Sequence, residues 1–269
     1  MTHFLLVAVA LCFAVIDSAL ADQRQTTLSP QSTPSFFANV VSDYRRHYTS
    51  PNFTNVLMAL GVSAVFANTP IDSEVFQEHL RSELYNEESN DLLRSSNELG
   101  DYAQLTYAIP VYLSAMWMGS AFAGEQQEES IVALWGNRAL RTIVLGAPQQ
   151  FILTSVTGSH RPYEGESRWS PFNDNNGVSG HAFFGAVPLL TAARLTTHPF
   201  ARYSLYAVST LPGLARVNKN KHYMSQVVMG WTLAYLSSAS VFGINSNTGA
   251  NIGVFANEGG VSIGVKINF

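Results

Sequence analysis

Val178-Ser179-Gly180-His181, followed by the apolar run Ala182 to Ala193, is the segment from which the rest of this chain can be read. A serine with glycine after it favours a helix start, because the hydroxyl can accept from an unpaired N–H of the first turn. Two further segments flank it: Arg161-Pro162 upstream, and Ala215-Arg216 downstream, with His222 after five intervening residues. Taken singly, each has an ordinary reading: a surface arginine before a proline turn, a capped helix, a solvated histidine beside Lys219 and Lys221. In this order and at this spacing, they would arise by chance in a chain of this length with a frequency on the order of 10⁻⁴. The three segments are therefore read as one constellation.

Around them the chain is a series of apolar blocks. Val56 to Ala67, Tyr102 to Gly124, Thr142 to Ser159, Ala182 to Ala193, Tyr203 to Ala215 and Tyr223 to Gly243 carry no charge. Tyr102 to Gly124 and Tyr223 to Gly243 are long enough to span a bilayer, whereas the mean hydropathy of +0.07 is low for a chain with many spans. Pro and Gly inside the blocks suit kinked membrane helices or the helix ends of a soluble bundle. The predicted fold is mainly α, a helical bundle over residues 56–243. Asp72 to Asp101 holds nine of the nineteen acids and is expected to face water as a solvated helix face or loop. Met116, Trp117 and Met118 are expected in the core.

The two ends differ from this body. Phe4 to Ile16 is an apolar run that ends in Ser18-Ala19-Leu20-Ala21, which reads as a secretory signal over residues 1–21 despite an uncharged start. An uncleaved membrane helix is the alternative. A polar tether and a first helix are expected over 22–55. At the other end, Val261, Ile263, Val265, Ile267 and Phe269 alternate with Ser262, Gly264, Lys266 and Asn268, a period-2 strand. Ile252 to Ala256 precedes it across Asn257-Glu258-Gly259-Gly260, so residues 244–269 are predicted as a β-hairpin tail. Such a ribbon needs a surface to lie on, either the helical body or a barrel built with other strands.

Composition removes several function classes. A net charge of −4 with three lysines argues against nucleic-acid binding. A single cysteine, Cys12, excludes a disulfide scaffold and a cysteine zinc site.

The constellation resembles the type-2 phosphatidic acid phosphatase superfamily, which includes bacterial acid phosphatases and vanadium haloperoxidases. The family pattern is Lys-x6-Arg-Pro, Pro-Ser-Gly-His and Ser-Arg-x5-His-x3-Asp; this chain supplies Arg161-Pro162, Ser179-Gly180-His181 and Arg216-x5-His222. It departs at four places. Thr154 stands where the family has its lysine, Val178 replaces the proline, Ala215 replaces the serine, and Gln226 replaces the aspartate. The resemblance implies that Arg161 and Arg216 clamp phosphate, with guanidinium forks matched to its oxygens. Ser179 and Gly180 would add helix N–H groups. His222 would be the nucleophile that forms a phosphohistidine, and His181 the acid that protonates the leaving oxygen. Gln226, one helical turn after His222, would hold its ring without the charge of an aspartate. A carboxylate there stabilises an imidazolium, so Gln226→Asp is expected to raise activity.

The resemblance implies hydrolysis of a phosphate monoester, a phosphorylated lipid, a pyrophosphate or a small phosphomonoester. It implies no metal and no cofactor; the low charge and the long apolar blocks favour a membrane as partner. The N-terminal signal gives the cell envelope as the expected location, with the site facing the periplasm or the cell exterior. Two alternatives stay open: a silent phosphoryl-lipid-binding envelope protein, favoured by Thr154 and Gln226, and a vanadium-dependent haloperoxidase. Asp174 could cap a turn or touch substrate, and Arg168 or His160 could replace the charge lost at Thr154.

Overall fold

The protein is seen in a computed structural model that describes residues 35–84, 86–121, 130–244, 249–257 and 260–268. The expected signal segment and all but the last residue of the tether Asp22 to Ser35 lie outside these. Ser35 caps α1 (Phe36–Thr49) by accepting from the Ala38 N–H at 3.3 Å. Ser50 and Pro51 then open α2 (Pro51–Ala67) at an angle of 59° to it; proline at the first helical position has no N–H to leave unpaired. A π-helical stretch, Ile71–Leu80, runs into α3 (Arg81–Leu84). A capping box between Asn86 and Ser89 starts α4 (Glu87–Tyr102). There follow α5 (Leu105–Ala121), α6 (Ile131–Thr157), α7 (Gly180–Leu195), α8 (Pro199–Val208), α9 (Leu211–Asn218) and α10 (Met224–Val241).

The mainly α architecture is as expected, and its centre is α10. That helix packs against α2, α6, α7 and α9. Leu233, Ala234 and Ala239, with Ser237, Ser238 and Ser240, have no exposed surface. The uncharged stretch from Tyr223 to Gly243 is therefore a core helix, although it is long enough to span a bilayer. Its small and hydroxylated side chains allow neighbouring backbones to approach closely. No single helix among the described residues is long and apolar enough to cross a membrane.

α5 behaves differently. It packs on α6 through a narrow stripe, Ala108, Tyr112 and Ala115, all buried. Its remaining faces are apolar and turned outward, including Tyr107, Ile109, Val111 and Leu113. Of the three residues expected in the core, Met116 is half-buried against it, whereas Trp117 and Met118 fall off the narrow stripe and face outward. Trp117 is 71% exposed and Met118 47%.

At the C-terminus, β1 (Gly249–Asn257) and β2 (Gly260–Asn268) pair antiparallel, with Asn257 opposite Gly260. The hairpin is present as predicted, and its first strand begins three residues earlier than Ile252. What its apolar face covers, and Phe269 itself, lie outside the described residues.

One buried ion pair ties α1 to α6. Arg141 donates from Nε and Nη2 to the two oxygens of Asp43, each at 2.7 Å, and both side chains are almost wholly buried. Removing one partner leaves the other charge buried and alone, which costs about 3–5 kcal/mol. Asp43→Ala is expected to lower the unfolding free energy by about that amount in urea titration. Asp43→Ala with Arg141→Met should recover part of the loss, because no charge is then stranded.

Candidate active site

The three motif segments meet where the first turns of α7 and α10 touch. The Ser179 N–H donates to the Gln226 carbonyl at 2.9 Å, and the Ser179 hydroxyl caps α7 by accepting from the Ala182 N–H at 3.3 Å. This close seating depends on Gly230, where a Cβ would fall 2.4 Å from the Ser179 carbonyl oxygen. Gly180 is the first residue of α7.

Between α9 and α10 the chain folds back on itself. The N–H groups of Lys221 and His222 both point at the Arg216 carbonyl, at 2.8 and 3.3 Å. Asn220 takes a left-handed conformation with φ of 57°, which asparagine tolerates better than most residues. The turn brings Arg216 and His222 together.

His222 is buried, and its Nδ1 lies 2.7 Å from Gln226 Oε1. The rest of the network fixes which atom carries the hydrogen. The other edge of the Gln226 amide lies 2.7 Å from the His160 carbonyl oxygen, which can only accept, so that edge is Nε2. Gln226 Nε2 also donates to Ser159 Oγ at 3.0 Å, and Oε1 accepts from the Tyr223 N–H at 3.1 Å. With Oε1 facing the imidazole, Nδ1 carries the hydrogen. The lone pair is on Nε2.

α10 is also anchored from afar. Asp72, in the π-helical stretch, accepts from the Ser225 N–H at 3.0 Å and from its hydroxyl at 2.5 Å. Burial pushes the Asp72 carboxyl up, and the bonds from Ser225, Met224 and Ser167 oppose this. The negative end of this link lies at the N-terminus of α10, where the helix dipole favours it.

Arg161 sits in the loop after α6. Its Nε donates to Asn176 Oδ1 at 2.8 Å and its Nη1 to the Tyr163 hydroxyl at 2.7 Å. Arg216 Nη1 donates to Asn97 Oδ1 at 3.0 Å, while its buried Nε has no partner among the described residues. Burial lowers the Arg216 pKa, Asp101 opposes this, and Arg161 adds to the lowering. Two guanidiniums within each other's field, one with an unsatisfied buried N–H, form a site that calls for an anion.

The imidazoles feel the same field. Burial takes the His222 pKa down to about 3; the Gln226 bond opposes this, and Arg216, Arg161 and His181 add to it. Burial also lowers His181, as do Arg216 and Lys219, against the pull of Asp101. The structure thus brings Arg161, His181, Arg216 and His222 into one electrostatic neighbourhood, with Ser179, Gly180 and Gln226 joined to it through the backbone.

The departures from the family pattern have local reasons. Thr154, at the lysine position, donates from Oγ1 to the Gln150 carbonyl at 2.7 Å and reaches the Val178 carbonyl at 3.3 Å. It steadies the backbone before Ser179 and brings no charge. His160 pairs with Asp174 at 2.7 Å, and Arg168 is exposed. Lys219 lies close enough to act on His181.

Sequence reasoning missed Asn97, Asp101 and Gln104. Asp101 Oδ1 lies 2.6 Å from His181 Nε2, and Gln104 Nε2 lies 3.2 Å from Nδ1. Their spacing of four and three residues was a visible signal, but on an acid-rich helix it matches a solvated face equally well.

The helical bundle gathers two guanidiniums, two imidazoles and a helix N-terminus at one point, a donor set suited to an oxyanion. The model of the PAP2 superfamily matches residues 138–249, from within α6 to the start of β1, so this part of the chain is similar to that superfamily. Phosphatase or haloperoxidase-type activity is what that match supports. No curated protein and no solved structure matches the chain.

Proposed function

We propose that this protein hydrolyses phosphate monoesters through a phosphohistidine on His222, and that its substrates are lipid phosphates. The observation that carries the reading is the fixed tautomer of His222, which keeps the Nε2 lone pair free beside two guanidiniums. The phosphoryl oxygens bind Arg161, Arg216 and the N–H groups at the start of α7. The Nε2 lone pair forms the N–P bond while the P–O bond breaks, and His181 gives its proton to the leaving oxygen. In the second step His181 takes a proton from water, the new O–P bond forms, and the N–P bond breaks. The two arginines supply the positive charge that the phosphoryl group needs throughout.

The lipid is argued from α5. That helix starts one residue after Gln104, which touches His181, and it runs away from the site with Tyr107, Ile109, Val111 and Leu113 outward. An exposed apolar helix leading from the acid is suited to acyl chains or to a bilayer surface. An envelope location facing the periplasm belongs to the same proposal and rests on the N-terminal apolar segment.

The test is hydrolysis of phosphatidic acid in detergent micelles beside p-nitrophenyl phosphate, with a chelator present. Acid-labile, base-stable phosphate trapped on the protein is the expected intermediate. Tight phosphate binding without turnover would make it a silent binding protein. Halide oxidation with added vanadate and peroxide, without phosphate release, would make it a haloperoxidase.

A further inference from the structure

Helix α4, the acid-rich one, turns one polar stripe inward. Asn97, Gly100 and Asp101, with Gln104 just past the helix end, fall at helical spacing on the side that faces His181. Gly100 lies flat against the imidazole, where a Cβ would stand 3.0 Å from Cδ2. Asp101 Oδ1 accepts from His181 Nε2 at 2.6 Å, and Oδ2 accepts from Asn97 Nδ2 at 2.8 Å. Asn97 Oδ1 in turn accepts from Arg216. The carboxylate therefore links the acid to the phosphate clamp. All four residues precede the segment that the superfamily model matches.

We propose that Asp101 is the positioning residue for His181: it holds the Nε2–H and leaves Nδ1 as the nitrogen that gives up and regains the proton. This rests on the reading of His181 as the acid. The assignment of roles follows from bond strength. The bond to Asp101 is short and charge-assisted, whereas Gln104 Nε2 donates to Nδ1 over 3.2 Å only while that nitrogen is unprotonated, and it gives way when Nδ1 takes a proton. The leaving oxygen replaces the weaker partner. As the P–O bond breaks, the Nδ1 proton passes to that oxygen and His181 becomes neutral, while Asp101 stays ionised. In the second step Nδ1 takes the proton of the attacking water, which restores the imidazolium.

The surrounding charges show why the carboxylate is needed. Arg216 from α9, Lys219 from the turn after it and the neighbouring His222 all stand near His181, and burial further disfavours its charged form. Among these influences Asp101 alone favours the imidazolium. Without it, the acid would surrender its proton before a substrate arrived.

Asp101→Asn tests this, since the side chain is 55% exposed and the change is isosteric, so the fold is not at stake. The His181 ring titration, followed by NMR, is expected to move down by at least about half a pH unit. For an alkyl phosphate, kcat/KM is expected to fall about 10- to 30-fold. For p-nitrophenyl phosphate, whose leaving group needs no proton, the fall should be less than about threefold. Asp101→Glu should restore part of both. An unchanged titration, or an equal loss on both substrates, overturns the proposal. Should wild type hydrolyse neither substrate, the phosphatase reading fails, and the titration still decides whether Asp101 governs His181.

Discussion

His222→Ala is expected to lower kcat by on the order of 10⁴ or more and to abolish the trapped phosphoenzyme. The substitution removes the only group proposed to bond to phosphorus, and water is not positioned to replace it in the first step. It leaves Arg161, Arg216 and the start of α7 in place. Phosphate affinity, read by calorimetry, should therefore change little. A variant that keeps more than about 1% of wild-type turnover would place the nucleophile elsewhere.

The pH dependence of turnover tests the same assignment by a separate route. With its pKa at about 3, His222 presents a free lone pair from that pH upward. His181 must instead hold a proton, and its pKa lies below the usual 6.5. kcat/KM reports groups of the free enzyme, so it should decline as pH rises through a point below 6.5. The same burial makes the fold acid-sensitive. Between pH 6.5 and about 3 the unfolded chain binds a proton at His222 that the folded chain refuses. The stability this group contributes is complete above 6.5 and is lost as pH falls toward 3.

Gln226→Asp is expected to lower kcat/KM by about 10²-fold, the reverse of what the family pattern implies for a carboxylate at this position. Two effects compete. A carboxylate in bonding distance of an imidazole is worth up to about 10⁴ in a serine protease. That gain requires contact, and an aspartate is shorter by one C–C bond, about 1.5 Å. Its oxygen would withdraw from the 2.7 Å bond to His222. Meanwhile the His160 carbonyl and the Ser159 hydroxyl lose their amide donor in a buried place, at about 1–3 kcal/mol each. Those two residues immediately precede Arg161, so the phosphate clamp loosens as well. Gln226→Glu keeps the reach but sets a carboxylate oxygen against the His160 carbonyl, and should also fall. Steady-state kinetics of the three forms decide. An Asp variant faster than wild type would mean that the loop is not held by this amide.

How much of this was legible beforehand depends on what kind of signal each residue leaves. Arg161, Ser179, His181, Arg216 and His222 stand in short segments whose spacing is rare, so the constellation could be read without a structure. The helical body was legible from its uncharged blocks. The role of α10 was not, because a central core helix and a membrane helix have similar composition, and only burial among α2, α6 and α7 separates them. Asp72 was misjudged as solvated, and the contact of the exposed Asp101 with His181 was missed, for one physical reason. Carboxylates are counted as solvated by default, yet Asp72 is buried at the N-terminus of α10 and Asp101 grips His181. Nothing local distinguishes them from Glu74 or Glu98. The Gln226 amide was legible as a departure from a pattern, but its four bonds depend on a loop 66 residues away.

The ties that complete the site span long stretches of chain. Asp72 reaches across 153 residues to Ser225, Arg216 across 119 to Asn97, and His181 across 80 to Asp101. Individual helices form from neighbours in about a microsecond or less, but each of these ties must first close a large loop at an entropic cost. Contacts of high sequence separation slow folding and are gained late. The site is therefore a product of the finished fold and cannot precede it. During renaturation, helical ellipticity should return well ahead of any capacity to bind phosphate.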